Sequence, residues 1–356
     1  MTARRGFWIG FAMTLVGAAL WGVSGAGAQF LFDGYGASPA FVTAFRMVLA
    51  GALFLVVIGV RYREPLQRLM RCRRDWLFLA LFGLGLFGSQ FTFACSVDAT
   101  NAGTACVLQM LNAVFVLAFV CVANRVLPTL HEGLGLFLAL GATVVIATQG
   151  DLGVIRLPAA GLFWGLLNAL SVAVYILVPR YSGLFDRYGS FTVTGLGMFL
   201  DAFAAVAVLL VGGAVAGGAG GTEAAAMGAA VGASATAMGA GAGGAGAAAG
   251  TGASATLAAS SLVSAIPFDG AAWTVLIVAV ALLGTFAAFS LYIGGVAKVG
   301  SVMGSLLGVM EPASATALSA LLLHTAFSGA DWLGFALMAA MLVCMTLPGK
   351  RRRSES

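Results

Sequence analysis

Charged side chains are scarce in this chain of 356 residues: Asp, Glu, Lys and Arg make up 9%, whereas hydrophobic residues make up 61%. The mean hydropathy is +1.02. Soluble globular domains carry about 25% charged residues, so this composition excludes a soluble protein. The sequence therefore predicts a protein embedded in a membrane.

Groups that carry catalysis or bind metals are also few. The histidines are His131 and His324, and His131-Glu132 is not followed by the second histidine of a metalloprotease pair. No Walker-type phosphate loop occurs, which excludes an ATPase within this chain. We predict no metal site, no cofactor and no enzymatic activity. The chain has five cysteines, and their spacing suggests neither a disulfide framework nor a zinc site. They are Cys72, Cys95, Cys106, Cys121 and Cys344.

Long apolar stretches supply the structural elements. A hydrocarbon core about 30 Å thick needs roughly 20 apolar residues in a helix. The stretches show no two-residue alternation, which favours helices over the strands of a barrel. The predicted fold class is an all-α membrane protein with ten transmembrane helices. The predicted spans are 7–31, 39–60, 76–96, 103–123, 133–149, 159–179, 190–211, 271–294, 301–323 and 331–348.

Basic residues set the predicted orientation. With the N-terminus in the cytoplasm, every Lys and Arg except Arg46 and Arg156 falls within or beside a cytoplasmic connection, including a tail at 349–356. The C-terminus is then cytoplasmic as well. This distribution explains the net charge of +5 by membrane topology, and nucleic acid is not expected as a partner.

The two halves of the chain repeat each other. Asp33-Gly34-Tyr35-Gly36 returns as Asp186-Arg187-Tyr188-Gly189, 153 positions later. If each half has five spans, an odd number, the halves must be inverted relative to one another, as in carriers that expose a central site to alternate sides. We predict repeats at 1–150 and 151–356. At an offset of 199, Val97, Leu108, Ala113 and Gly135 match Val296, Leu307, Pro312 and Gly334.

An insertion at about 212–264 accounts for the difference between the two offsets. It consists mainly of Gly and Ala, with Glu223 as its one charged residue. Such a segment has little apolar surface to bury, so it is predicted to be a disordered outer loop without assigned function.

Glu311-Pro312 lies near the middle of the ninth predicted helix. Proline has no N–H, so the carbonyl of Gly308 loses its helical partner and a kink is predicted, with Gly308 and Pro312 as hinge residues. In the first half, Gln109 and Asn112 lie three residues apart and point two amides in one direction. These amides either line a substrate cavity or form interhelical hydrogen bonds.

Three ionisable residues lie within predicted spans: Arg46, Asp201 and Glu311. A charge at the bilayer centre costs roughly 2.5–3.5 kcal/mol on insertion scales, so each is expected to face the bundle interior. One interpretation is an ion pair between Arg46 and one of the carboxylates. The other is proton coupling through Glu311 or Asp201.

Aromatic residues in the first and sixth helices are candidate substrate contacts. Trp21 lies in the first helix and Trp164 in the sixth, which are the first helices of the two halves. Asn168 and Tyr175 share a helix face with Trp164. These side chains either stack on an organic substrate or have packing and lipid-facing roles.

Several motifs together resemble the EamA family of the drug/metabolite transporter superfamily. They are Leu20-Trp21-Gly22, Phe45-Arg46-Met47, the segment 101–109 (NAGTACVLQ) and Met310-Glu311-Pro312. The resemblance implies a cavity between two halves and substrates such as amino acids, other metabolites or drugs, usually exported. Two positions depart from the family pattern. Ala113 stands where the first repeat usually has a proline, which removes the reason for a kink there. His324 and its neighbours replace the Leu-Gly-Glu that often follows the ninth helix in the family.

The resulting hypothesis is a secondary carrier of the plasma membrane, with a small organic solute and the lipid bilayer as partners. It exports its solute by alternating access, and protons are the candidate coupling ion. An uncoupled facilitator is the first alternative. A non-transporting membrane protein, such as an intramembrane enzyme or an assembly partner, is the second. The solute and the oligomeric state are not predicted.

Overall fold

Every regular element in the described part of the chain is a helix. The computed structural model describes residues 2–125, 127–151, 156–216, 268–300, 303–304 and 307–346. Of the predicted disordered loop at 212–264, all but the first few residues lie outside these ranges, as does the basic tail at 349–356.

The helices follow one another with short connections. A π-type segment, Val275–Ala287, lies inside one continuous helix of the second half. The bounds are α1 Thr2–Tyr35, α2 Pro39–Arg61, α3 Arg63–Arg71, α4 Arg73–Ala99, α5 Ala102–Gln109, α6 Asn112–Asn124, α7 Leu130–Thr148, α8 Ala159–Ser182, α9 Leu184–Tyr188, α10 Ser190–Ala216, α11 Gly270–Val299, α12 Met310–Leu322 and α13 Gly329–Thr346.

Eight helical segments of the described chain are long and apolar enough to cross a membrane. They correspond to the first eight predicted spans, and α5 and α6 together form the fourth. The ninth predicted span, 301–323, is only partly described and contains α12. The tenth matches α13, whose apolar part, Gly329–Cys344, is shorter than a full span.

Polar residues fix where the helices begin. The Ser38 hydroxyl accepts a hydrogen bond from the Phe41 N–H at 3.2 Å, with Pro39 in the first turn of α2. Before α7, Thr129 and Glu132 bond reciprocally in a capping box. These caps satisfy backbone groups that a helix end would otherwise leave unpaired.

The helices pack in a regular set of pairs between the two halves. Helix α1 packs against α11 and α12, whereas α8 packs against α4 and against the α5–α6 pair. Helix α2 packs against α10, α7 against α13, and α5 against α12. Two further pairs are α2 with α11 and α4 with α10. Each long helix of the first half therefore has partners in the second.

Glycines allow the closest of these approaches. A Cβ on Gly17 of α1 would lie 2.7 Å from the Tyr292 backbone nitrogen of α11. Gly161 and Gly165, four residues apart in α8, both touch the first half, through Thr100 and Leu108. Gly6 of α1 instead faces open space. Close contact between helices therefore occurs at some of these glycines and not at others.

The bundle has two chemically different ends. We call the basic end the one formed by α3, α9, the start of α4 and the end of α8, where Arg61, Arg68, Arg71 and Arg187 lie. We call the acidic end the opposite one, where Asp33, Asp98, Asp269 and Asp331 lie. Between the ends, exposed apolar side chains cover the outside, as expected of a lipid-facing surface; they include Leu77, Val122, Phe137, Phe163 and Leu283.

Candidate functional site

Two helices are interrupted near the middle of the bundle. In the first half, α5 ends at Gln109 and α6 begins at Asn112. The Met110 and Leu111 N–H groups bond to carbonyls three residues earlier, which tightens the chain into a turn. In the second half a turn at Gly308 and Val309 precedes α12. The two interruptions fall at corresponding positions of the sequence repeat.

The interruption in the second half leaves the Gly308 carbonyl satisfied. Pro312 cannot donate to it, but the Glu311 N–H does so at 3.0 Å. The helical bond that this carbonyl loses at Pro312, as predicted, is replaced by a bond three residues apart. The helix is nevertheless broken at this place, next to the predicted hinge residue Pro312.

Glu311 joins the two interrupted helices. Its carboxylate accepts a hydrogen bond from Gln109 Nε2 at 3.0 Å. The Cys106 sulfur lies 4.0 Å from the same oxygen. Hydrogen bonds to a carboxylate are stronger than those between neutral groups. The contact thus links α5 to α12, across the halves.

Aromatic rings lie beside this carboxylate. The Trp21 ring of α1 packs against Tyr292 and Phe289 of α11, with centroid distances of 4.6 and 4.9 Å. Glu311 is within electrostatic range of the phenol groups of Tyr175 and Tyr292. The Trp21 indole N–H is buried and has no hydrogen-bond partner among the residues that the structure describes. The indole N–H of Trp21 and the carboxylate of Glu311 therefore lie on α1 and α12, two helices that pack together.

Gly22 brings α1 against the Glu311 segment. A Cβ at this position would lie 2.0 Å from the Ser314 hydroxyl and 2.5 Å from the Glu311 carbonyl oxygen. The Ser314 hydroxyl in turn donates to the Ala19 carbonyl at 3.0 Å. Only glycine permits this approach, so the Trp21-Gly22 pair positions both the ring and the carboxylate.

The second half presents its own Trp-Gly pair at the matching place. Gly165 of α8 is packed so closely on α5 that a Cβ would lie 2.5 Å from Leu108 Cδ1. Trp164 beside it packs on Phe91 of α4, with centroids 6.1 Å apart. Trp164 therefore contacts α4, and no contact joins it to Glu311 in the described chain.

Two predicted amides make different contacts from those expected. Asn112 does not point with Gln109, because the helix breaks between them. Its Nδ2 donates back to the Gln109 carbonyl at 2.7 Å. Asn168 is fully buried, and its Nδ2 donates to the Ser89 carbonyl of α4 at 2.6 Å. Within the described ranges the Asn168 side-chain oxygen has no hydrogen-bond partner.

The intramembrane charges form a second polar cluster. Arg46 of α2 is buried and donates from Nη2 to the Gln90 side-chain oxygen and, at 3.2 Å, to the Gln90 carbonyl. Asp201 of α10 lies within electrostatic range of Arg46 and is fully buried, and neither of its carboxylate oxygens has a hydrogen-bond partner among the described residues. Within the described chain, the hydrogen-bond partner of Arg46 is therefore Gln90, and the ion pair that was one of the two interpretations is not formed as a direct contact.

Sequence reasoning missed Gln29, the best-connected amide of the bundle. Its Nε2 donates to Asp33 at 3.2 Å and Thr325 at 3.0 Å, and its Oε1 accepts from the Ala102 N–H and the Ser319 hydroxyl. The side chain ties α1 to the start of α5 and the end of α12. A glutamine inside a predicted span was the signal that could have identified it.

An open cavity lies at the acidic end. Its volume is about 510 Å³. Asn101, Thr104, Gln149, Arg156 and Asp331 supply its polar lining. Gln149 Nε2 donates to Asp331 at 2.6 Å, joining the end of α7 to the first turn of α13.

Potential metal ligands are not clustered in the described residues. In the part of the chain that the structure describes, no set of three His, Cys, Asp or Glu residues is arranged to hold a metal ion. The groups around Glu311 are hydrogen-bonding side chains and aromatic rings, and such groups are suited to binding a small organic molecule.

Comparison with known proteins gives a match to one family model. Residues 8–148 match the model of the EamA-like transporter family. The match covers the first half of the chain. It ends where α7 ends, and it contains Trp21, Arg46 and Gln109.

Homology extends beyond the matched region. YicL of Salmonella typhimurium, described as an uncharacterized inner membrane transporter, is 28% identical over 344 residues, covering 96% of this chain and 97% of YicL. A solved crystal structure resembles the chain with a TM-score of 0.55 at 18% identity over 96% of both chains, which shows a shared fold alone. The family match and the homology to YicL, together with the apolar helices, support a multi-pass membrane transporter.

Proposed function

We propose that this EamA-domain protein is a secondary carrier that moves a small organic solute across the plasma membrane by alternating access, in the outward direction. The observation that carries the proposal is the Gln109–Glu311 contact, which joins the two interrupted helices at 3.0 Å. Broken helices whose ends meet at mid-membrane are where carriers hold their solutes. Trp21, Tyr175 and Tyr292 are the proposed aromatic contacts.

The packing pairs support two inverted halves of five spans each, at 1–150 and 151–356. A twofold relation would exchange α1 with α8, α4 with α11, and the α5–α6 pair with α12. The packing of α1 on α11 then becomes the packing of α8 on α4, and the packing of α1 on α12 becomes that of α8 on α5–α6. The pairs α2–α10, α7–α13 and α5–α12 map onto themselves. A twofold relation between the halves would produce this pattern.

For the transport activity, the test starts from comparative metabolomics of cells and medium with and without the protein. Solutes that change are then offered to the purified protein in liposomes. We expect saturable movement of at least one of them, since a carrier has a limited number of sites. Protein-free liposomes are the control, and failure of every candidate to move would argue against a carrier.

The proposed orientation places both chain ends, and hence the basic end of the bundle, in the cytoplasm. Reporter fusions that are active on only one side of the membrane, placed at each terminus, test it. We expect the cytoplasmic reporter to be active at both ends. Activity on opposite sides would mean an odd number of spans and would overturn the inverted-repeat arrangement.

Proton coupling is the variant that the Arg46–Asp201 cluster favours. The Asp201 carboxyl group is fully buried, and its oxygens have no hydrogen-bond partner in the described part of the chain, so it is available to carry a proton. Proton flux recorded during solute movement separates a coupled carrier from an uncoupled facilitator. Solute movement without a pH change would assign the facilitator.

A further inference from the structure

The repeated tyrosine motif makes the same contact twice. The Tyr35 hydroxyl donates to Asp269 Oδ1 at 2.9 Å. The Tyr188 hydroxyl donates to Asp75 Oδ2 at 2.6 Å. Tyr35 and Tyr188 are the tyrosines of the two copies of the Asp-x-Tyr-Gly motif. Each therefore binds an aspartate far away in the sequence.

Both contacts cross between the halves, at opposite ends of the bundle. Tyr35 ends α1 in the first half, and Asp269 immediately precedes α11 in the second. Tyr188 lies in the second half, and Asp75 is in the first turn of α4 in the first. Because α4 and α11 exchange under the proposed twofold relation, one contact becomes the other.

The contact at the basic end is the stronger one in this conformation. Asp75 is 1% exposed and also lies 3.1 Å from Arg187 Nη2. Its bond to Tyr188 is the main reason why the pKa of that tyrosine is raised to about 12. Leu69 of α3 and Leu184 of α9 are buried in one core cluster beneath this contact.

The contact at the acidic end is weaker. Asp269 is exposed, and its carboxylate also caps α11 by accepting from the Ala272 N–H at 2.8 Å. That backbone bond, followed by the bond from Tyr35, lowers the pKa of Asp269. Hydrogen bonds that face water contribute less than buried ones. The open cavity of about 510 Å³ lies at this same end.

We propose that the Tyr35–Asp269 and Tyr188–Asp75 contacts are the two gates of the carrier. The Tyr35–Asp269 contact holds α1 against α11 when the acidic end is closed. The Tyr188–Asp75 contact holds α9 against α4 when the basic end is closed. This inference rests on the proposed alternating access. Both gates are formed in the conformation seen here, and the buried Tyr188–Asp75 gate is the stronger of the two. Rupture of either gate shifts the equilibrium toward opening at that end and closure at the other.

Hydrogen–deuterium exchange of the full-length protein in lipid nanodiscs tests the two gates. Tyr188→Phe removes one hydroxyl and keeps the ring. We expect exchange in α3, α9 and the first turn of α4 to rise about fivefold, the size expected for one intramolecular hydrogen bond. Exchange around Tyr35 and the start of α11 should fall. Tyr35→Phe should produce the opposite pattern, and because Tyr35 is at the surface this variant should fold normally.

Tyr62→Phe is the matched control. Tyr62 also lies at the basic end, where its ring stacks on Phe191 with centroids 5.1 Å apart, and its hydroxyl makes no hydrogen bond to the described residues. We expect no change in exchange at either end. If both gate variants loosen only their own end, or neither end responds, the contacts are local ties and the gate proposal is overturned.

The exchange measurement needs no transported solute. A coupled response of the two ends therefore supports the gates even where no solute has been found to move. Conversely, saturable transport without any response of the far end to Tyr188→Phe or Tyr35→Phe would leave the carrier function in place and remove the gates.

Discussion

Glu311→Gln is expected to reduce solute transport at least tenfold while leaving the folded protein intact. The substitution keeps the shape of the side chain but removes the charge that strengthens the bond from Gln109, at 3.0 Å. Hydrogen bonds to charged groups contribute about 1.5–3 kcal/mol, which corresponds to roughly a tenfold to hundredfold change in an equilibrium. The initial rate of uptake into liposomes, per folded protein, measures the effect.

Two further variants make this result specific. Glu64→Gln is the control, because Glu64 is exposed on α3 and pairs at 3.4 Å with Arg68, which is also exposed. Its transport rate should match the unmodified protein. The double variant Gln109→Glu with Glu311→Gln keeps one carboxyl and one amide at the contact, and we expect it to recover part of the rate. Wild-type transport by Glu311→Gln alone would remove Glu311 from the site.

Gly22→Ala is expected to destabilise the bundle and to slow transport. The added Cβ would lie 2.5 Å from the Glu311 carbonyl oxygen and 2.6 Å from the Ala315 backbone nitrogen. Backbone atoms cannot rotate away as a flexible side chain can, so α1 and α12 must separate. Overpacking of this kind costs about 1–3 kcal/mol. Thermal unfolding in detergent should show a lower Tm.

Gly141→Ala provides the comparison for this prediction. Gly141 lies inside α7, and a Cβ there would meet no atom within 4 Å. Alanine favours helix over glycine by roughly 0.5–1 kcal/mol, so the Tm should stay level or rise slightly. Equal destabilisation by Gly22→Ala and Gly141→Ala would show that loss of glycine flexibility, and not the close approach, is responsible.

The sequence was informative where one residue type has one strong physical consequence. Apolar length located the helices, because a segment that long has few other ways to satisfy its backbone in lipid. Glu311-Pro312 predicted a kink, and the structure has a turn at Gly308 and Val309 just before this pair. A carboxylate inside a span predicted a polar partner, and Gln109 is that partner for Glu311.

The remaining features depend on tertiary contacts that no local pattern reports. The break at Met110–Leu111 forms without a proline, through hydrogen bonds three residues apart. Asn112 turns back onto the Gln109 carbonyl because of that break. An ion pair with a carboxylate was one of two interpretations for Arg46; it binds Gln90, whose position on α4 depends on how α4 packs against α2. Each outcome follows from interhelical geometry.

Gln29 restricts how the acidic end is able to move. Breaking its contacts to Ala102, Ser319 and Thr325 would strand buried polar groups, each at about 1–3 kcal/mol. The cheaper motion keeps α1, the start of α5 and the end of α12 joined as one rigid body and swings α11 away from it. Gln29 would then serve as the pivot of that motion.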